Sequence, residues 1–157
     1  MAVEARIPLE SDILELIEKL SLDDRKELLV QGVDPEWAIR HSVEHSSECV
    51  AVFVGKELVC FTGIKVDDDL AFQAVPWLLG TELMKSYPRH VMRFSRLLVS
   101  RWKKLYPFMV NYVDVRHERA CRWLSALGAT ASFLPEYGPY KKPFYRFTFG
   151  VDPCASL

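Results

Sequence analysis

The sequence lacks the features that mark several protein classes. It has no run of 18 consecutive apolar residues, so we expect no membrane-spanning helix. The first residues, MAVEARIPLESD, contain no basic segment followed by an apolar one, so we expect no secretion signal. No internal repeat or low-complexity tract is present. The length and composition predict a single globular domain over residues 1–150, with residues 151–157 as a C-terminal tail.

Cysteine is sparse, and its spacing does not suit a structural metal. None of the cysteines forms a CxxC pair, which argues against a closed zinc site. A two-residue turn at Gly55-Lys56 would place Ala51, not Cys49, opposite Cys60 on the neighbouring strand. We therefore expect free thiols and a reducing compartment. The four cysteines are Cys49, Cys60, Cys121 and Cys154.

The signatures of common enzyme mechanisms are also missing. There is no GxSxG, Walker A or Rossmann fingerprint, and no nucleophile is paired with an evident base. His41 and His45 are four residues apart on a predicted helix, but HExxH is absent and no third ligand is evident. We therefore expect no metal and interpret these histidines as an ordinary surface pair.

Charge is unevenly distributed, although the formal net charge is only −1. Residues 1–82 hold 7 of the 20 Lys and Arg and 17 of the 21 Asp and Glu, so residues 83–157 are strongly basic. This basic half of the chain could bind phosphates, nucleic acid or an acidic protein. Alternatively, the two halves neutralise each other within one fold.

Hydrophobic periodicity predicts strands and helices in a mixed order. The strands fall at 3–8, 48–54, 57–66, 70–80, 109–115, 129–133 and 143–149, and the helices at 11–20, 22–32, 35–46, 88–106 and 116–127. Ser11 is the expected N-cap of the first helix. Residues 67–69, all aspartate, are expected to form a turn.

The strands at 48–54 and 57–66 are apolar on both faces, which predicts helices above and below the sheet. Pro76 lies inside the strand at 70–80 and has no N–H to donate to a neighbour. We therefore expect a bulge or a splayed strand at this position.

The segment VDVRHERACRWLSALGA, residues 113–129, combines a strand end, a turn and a helix closed by Leu-Gly. It resembles the Asn-x-x-Ala…Leu-Gly-Phe segment of the GNAT (Gcn5-related N-acetyltransferase) superfamily, with His117 and Ala120 at the first two positions. The order of elements is similar as well. The resemblance implies an α/β (α+β) fold with a mixed, mostly antiparallel sheet of six to seven strands and helices on both faces.

A narrower resemblance rests on ECVAVFV, PWLLGTEL and NYVDVRHERACRWLSALGA. These segments are similar to a GNAT-like family of short-tailed bacteriophages that includes a small internal virion protein and related acetyltransferase-like proteins. The most telling part is residues 111–113 followed by Arg116 and by residues 123–124. The resemblance implies a phage product in the host cytoplasm that is packaged in the virion or needed for assembly.

The GNAT resemblance also implies a cofactor site. In active members, an Arg/Gln-x-x-Gly-x-Gly/Ala loop after the fourth strand cradles the pyrophosphate of coenzyme A with backbone N–H groups. Here residues 77–88 take its place, with a single glycine and an acid, Glu82. The residues that the resemblance implies for acetyl-CoA are Trp77, Leu79, Gly80, Thr81, Arg89 and His117.

Catalysis would need a proton carrier near the strand splay. His117 and Glu82 are the candidates, with His117 in the place of the usual Asn. The usual general-acid tyrosine falls on Leu124. These departures indicate an acetyltransferase site that has degenerated.

Two groups of cations are candidates for a partner surface. Arg93, Arg96 and Lys103 share one face of a helix that contains no acid. Arg116 and Arg119 flank the start of the last helix, where further positive charge is unfavourable unless an anion offsets it. The first interpretation of the helix face is a solvated surface. Among the functional interpretations, a protein partner from the virion or the host is favoured over coenzyme A and nucleic acid. Either group could also be a solvated surface whose charges pair within the fold.

The resemblance thus implies a GNAT-fold phage protein that acts through protein contacts in the virion or during its assembly. The alternative is a working acetyl-CoA-dependent N-acetyltransferase that modifies a host or phage protein. A third reading is a host-directed inhibitor.

Overall fold

The computed structural model describes residues 2–66 and 73–152. The strands are β1 Val3–Arg6, β2 Glu48–Val54, β3 Glu57–Val66, β4 Gln73–Gly80, β5 Phe108–Asp114, β6 Thr130–Tyr137 and β7 Lys142–Gly150. The helices are α1 Glu10–Lys19, α2 Leu22–Val30, α3 Pro35–His45, α4 Pro88–Leu105 and α5 Glu118–Ala126, with a 3₁₀ turn at Glu82–Lys85. None of these helices is long and apolar enough to cross a bilayer.

The seven strands form one sheet in the order β1-β2-β3-β4-β5-β7-β6. Every neighbouring pair is antiparallel except β4 and β5, which are parallel. This confirms the predicted mixed, mostly antiparallel sheet.

Helices cover both faces of the sheet, as the doubly apolar strands predict. Alternate residues of β2 point to opposite faces. Ala51 and Phe53 belong to the core that contains Leu16 of α1 and Ile39 of α3. On the other face, Val52 packs in a core with residues of the 3₁₀ turn and α4, and a third core joins the sheet to α4 and α5.

Three local predictions are wrong. Strand β6 continues to Tyr137, beyond its predicted end at 133, because its pairing with β7 extends to Tyr137–Lys142. Helix α1 is capped by Leu9, not Ser11, because the carboxylate of Asp12 accepts the Leu9 N–H at 2.8 Å. Cys60 pairs with Val52, not Ala51, because the register shifts after Val52. The predicted turn at 67–69, the first residues of the strand at 70–80 and tail residues 153–157 lie outside the described residues.

Strands β4 and β5 separate after a short parallel contact. They pair only at Gln73–Phe108 and Ala74–Met109. Beyond that point β4 continues to pair with β3, and Pro76 lies opposite Ile64 without a register shift. The predicted splay is therefore present and the alternative, a bulge, is not. The gap between the two strands positions the site described next.

Candidate functional site

A cavity of about 730 Å³ lies at the splay. Its walls come from β4 and β5 beyond their separation, from Lys65 of β3, from the 3₁₀ turn and from helices α2, α3, α4 and α5. Its apolar walls include Leu28, Leu78, Met92 and Trp123, and its polar groups include Asp24, Glu27, Lys65, Asn111, His117 and Arg119. The volume falls in the range typical of small-molecule sites, roughly 300–1,000 Å³.

The edge of β4 that faces the gap is occupied by the chain itself at Pro76 and at Gly80. Pro76 offers no N–H, and its carbonyl accepts the side-chain amide of Asn111 at 2.7 Å. The Gly80 N–H donates to a carboxylate oxygen of Asp24 at 2.8 Å. The Gly80 carbonyl accepts the Ser21 N–H, also at 2.8 Å. Segments from the α1–α2 junction and from β5 thus fill positions that the splay exposes.

The turn after β4 is filled in the same way. A Cβ atom at Gly80 would overlap the sulfur of Met84, so Gly80 is required by internal packing. The buried hydroxyl of Thr81 donates towards the carbonyls of Leu58 and Val59 and accepts the Leu83 N–H. The turn therefore directs these groups into the fold and not towards an external phosphate.

Three ionisable side chains meet at the wide end of the gap. His117 begins α5, and its Nε2 lies 2.9 Å from Asp24 Oδ1. The same nitrogen lies 3.7 Å from a carboxylate oxygen of Glu27. The other Glu27 oxygen accepts the Asp114 N–H at 2.9 Å. Carboxylates from successive turns of α2 therefore bridge the ends of β4 and β5.

Burial and mutual charge shift the pKa values of this cluster. Burial raises the pKa of Glu27 from 4.5 to about 7, although the Asp114 N–H and His117 oppose the shift. Burial alone would lower the pKa of His117, but the hydrogen bond and charge of Asp24, with the charge of Glu27, raise it above 6.5. A buried carboxyl that titrates near neutrality can carry a proton.

The cluster also has the composition of a metal site. The candidate ligand atoms of Asp24, Glu27 and His117 lie within 4.8 Å of one another. However, the Ala120 N–H points at Nδ1 of His117, at 3.4 Å, which assigns the ring proton of the neutral form to Nε2. A protonated Nε2 donates to Asp24 and does not coordinate a cation. Hydrogen bonding therefore accounts for the arrangement.

The residues predicted for the cofactor and for catalysis are dispersed. Trp77, Leu79 and His117 line the cavity, whereas the lining does not include Gly80, Thr81, Glu82 or Arg89. Trp77 donates its ring N–H to Ser46. Glu82 is exposed, accepts the Leu22 N–H and pairs with Lys85. The Leu22 N–H and then Lys85 lower the pKa of Glu82.

The candidate partner residues separate into two environments. Arg93, Arg96 and Lys103 are exposed along α4, as the helical spacing predicts. Arg116 pairs with Asp114 at 2.7 Å, so its charge is offset within the fold. Arg119 lines the cavity, and both of its terminal nitrogens are buried without a hydrogen-bond partner among the described residues.

Asp24 and Glu27 are not among the residues predicted from the sequence. Both belong to α2, whose first turn reads as an ordinary acidic helix start. The only available signal is their spacing of three residues, which places two carboxylates on one side of a helix. Such spacing is common on solvated helices, so it does not by itself identify a buried cluster.

Comparisons with known proteins give structural matches only. No family model matches the chain, and no curated protein matches it in sequence. An N-acetyltransferase from Staphylococcus aureus Mu50 matches with a TM-score of 0.71 at 11% identity, over 97% of this chain and 100% of that one. RimL, the ribosomal L7/L12 α-N-protein acetyltransferase in complex with coenzyme A, matches with a TM-score of 0.70 at 13% identity, over 97% and 96%.

The aminoglycoside acetyltransferase AAC(6')-Ib, in complex with ribostamycin and coenzyme A, gives a TM-score of 0.68 at 13% identity, over 96% of this chain and 94% of that one. These identities are too low to transfer an activity, because one fold supports many functions. Together with the strand order and the splayed β4 and β5, they establish that the chain has the GNAT fold.

Proposed function

We propose that this protein keeps the GNAT fold without acetyl-CoA chemistry and acts through contacts of its surface. The observation that carries the proposal is the occupied edge of β4, where Asp24 and Ser21 hold both backbone groups of Gly80. A cofactor that binds this edge would have to displace a buried carboxylate and a backbone hydrogen bond. Displacement of buried partners without replacement is unfavourable.

The residues after β4 do not fit a pyrophosphate either. A phosphate cradle needs open backbone N–H groups at glycine positions. Here Met84 occupies the space beside Gly80, and Glu82 places a negative charge on the same turn. Leu124 stands where the superfamily has its general-acid tyrosine. It is buried, and its side chain has no ionisable proton to donate. These departures support a site that has lost acetyl transfer.

The contact surface that we propose is the exposed face of α4, which we call the basic face: Arg89, Arg93, Arg96 and Lys103. Helix α4 contains no acid. Within the described part of the chain, none of these four side chains forms an ion pair. At 1.5 Å per residue, the row from Arg89 to Lys103 extends about 21 Å along the helix. A row of this length can contact several acidic side chains on one face of a partner protein.

The partner that we propose is a component of a phage virion or of its assembly, encountered in the host cytoplasm. This finer proposal rests on the resemblance of ECVAVFV, PWLLGTEL and NYVDVRHERACRWLSALGA to the family of short-tailed phages. It predicts a fixed copy number in purified particles. Absence from particles, together with capture of a host protein from infected lysate, would favour the host-directed inhibitor.

Calorimetric titration with acetyl-CoA tests the lost cofactor site. We expect no heat and no thermal shift at millimolar acetyl-CoA, because a ligand of the folded state raises its melting temperature. A cooperative thermal transition of the same sample controls for folding. Micromolar binding would overturn the proposal.

Charge reversal tests the basic face. The double variant Arg93→Glu/Arg96→Glu should lose the partner while its melting temperature stays unchanged, because both side chains are exposed and unpaired. Lys56→Glu provides a control, since it reverses the charge of an exposed cation in the β2–β3 turn that has no ion-pair partner in the described structure. Retention of the partner by the double variant would refute the assignment of this face.

The second candidate function is acetyl-CoA-dependent N-acetylation. It is favoured by Glu27, whose pKa of about 7 and position in the cavity suit a base that deprotonates an amine. In that case Glu27→Gln would abolish acetyl transfer without loss of folding. The titration with acetyl-CoA separates the two candidates before any substrate is known.

A further inference from the structure

The lining of the cavity at the splay includes Arg119, a cation that has no ion-pair partner in the described structure. Both terminal nitrogens of Arg119 are buried and lack a hydrogen-bond partner among the described residues. A guanidinium stays charged at any physiological pH, and its donors are costly to bury unpaired. From this cation and its apolar surroundings we infer that the cavity binds an organic carboxylate, with Arg119 holding the carboxylate group.

Three nearby carboxylates do not fulfil this role in the described structure, because each is engaged elsewhere. Glu27 accepts the Asp114 N–H and lies 3.7 Å from Nε2 of His117. Asp24 is bonded to His117 and to the Gly80 N–H. Glu82 accepts the Leu22 N–H and pairs with Lys85. Arg119 is close enough that its charge contributes to lowering the pKa of Glu82, yet no ion pair forms between them in the described structure. A counterion must therefore come from outside this cluster.

A second cation increases the preference for an anion. Lys65 of β3 lines the same cavity and, in the described structure, has no ion-pair partner. Burial lowers the pKa of Lys65, which indicates that its ammonium is partly desolvated. The acids that line the cavity are Asp24, which is bonded to His117, and Glu27, whereas His41, Lys85, His117 and Arg122 add positive or titratable groups. The carboxyl of Glu27 titrates near neutrality and gains a proton as the pH falls. The anion should therefore bind more tightly at pH 6 than at pH 8.

The rest of the ligand should be apolar. The lining that includes Arg119 also includes the apolar side chains of Leu78, Met92 and Trp123. Trp37 also lines the cavity, is 56% exposed, and stacks on His41 with ring centroids 4.4 Å apart. A half-exposed indole beside a cavity can cover an aromatic ligand body. A carboxylate joined to an aromatic or aliphatic body matches both ends of this site.

Paired probes test the inference directly. 4-Phenylbutyrate and 4-phenylbutyramide have nearly the same shape, but only the first is an anion. In calorimetric titrations at pH 6 we expect the carboxylate to bind about tenfold or more tightly than the amide, because charged hydrogen bonds to a buried guanidinium discriminate between them. 4-Phenylbutyl phosphate, measured in parallel, shows whether a phosphate serves equally well.

Arg119→Gln should remove the preference for the carboxylate, whereas Lys56→Gln, at an exposed cation of the β2–β3 turn, should keep it. The melting temperature controls for folding, and we expect Arg119→Gln to melt no lower than the wild type because it removes a buried unpaired charge. Equal binding of acid and amide, no binding of either, or an unchanged preference in Arg119→Gln would each overturn the inference. The result is independent of the titration with acetyl-CoA.

Discussion

Asp24 and His117 are 93 positions apart in the chain, yet their side chains meet at 2.9 Å. Asp24 also binds the Gly80 N–H, so one carboxylate connects α2, the end of β4 and the start of α5. Both side chains are buried. The pair therefore closes the gap between β4 and β5 at the position where the fold would otherwise expose strand edges.

Asp24→Ala should strongly destabilise the protein. The change leaves the Gly80 N–H and the His117 ring without their buried partner, which costs about 2–4 kcal/mol of the free energy of unfolding. Denaturant unfolding followed by circular dichroism measures the loss. Glu18→Ala, at an exposed position of α1, is the control and should stay within about 0.5 kcal/mol of the wild type. A similarly small effect of Asp24→Ala would show that the pair does not stabilise the fold.

Gly80→Ala should also destabilise, for a steric reason. The added methyl group would overlap the Met84 side chain, and overpacking of this kind costs about 1–3 kcal/mol. Met84→Ala removes the side chain that the methyl group would overlap, but it creates a cavity that is itself destabilising. The double variant should therefore be no less stable than Met84→Ala alone, which a double-mutant cycle detects as coupling. Additive losses would mean that Gly80 is required for another reason.

The fold could be predicted because its signals are local. Strands β2 and β3 are apolar on both faces, which predicts their cover by helices. Pro76 cannot donate a strand hydrogen bond, which predicts the splay. The Leu-Gly that ends α5 marks a helix terminus, and Gly128 adopts a positive φ of 97°. Each of these features depends on residues close together in the chain.

The site could not be predicted as fully, because its contacts join residues that are far apart in the sequence. The Asp24–His117 pair and the Glu27–Asp114 hydrogen bond join residues about ninety positions apart. The acids of α2 differ in no local way from those of a solvated helix. Likewise, Arg116 and Arg119 are three positions apart, yet one is paired at the surface and the other carries buried nitrogens. Only the tertiary structure distinguishes them.

The described cysteines should be unreactive in the folded state. Burial raises the pKa of Cys49 and of Cys60 to about 12, and that of Cys121 to about 11. The thiolate is the reactive form, so it is scarce at neutral pH. In a Cys154→Ser variant, Ellman's reagent at pH 8 should detect three thiols only after denaturation. Rapid reaction of any of them in the native protein would contradict the assigned environments.

Glu27 should make stability fall as the pH rises. Its pKa is about 7 in the folded protein against 4.5 ordinarily, so the folded state holds a proton that the unfolded state releases between these values. The free energy of unfolding should therefore decrease between about pH 5 and pH 7.5, by at most about 3 kcal/mol from this group. His117, whose raised pKa stabilises the fold only while the ring is protonated, acts in the same direction.

Glu27→Gln isolates this contribution. The amide keeps an oxygen for the Asp114 N–H but cannot ionise beside Asp24 and Asp114. The variant should thus match the wild type near pH 5 and exceed its stability at pH 8, as measured by urea unfolding across this range. Glu18→Gln, at an exposed site, should follow the wild type at every pH. Parallel curves of unfolding free energy against pH for the wild type and Glu27→Gln would mean that Glu27 ionises normally in the folded protein. Glu27 would then not act as a proton carrier near neutral pH.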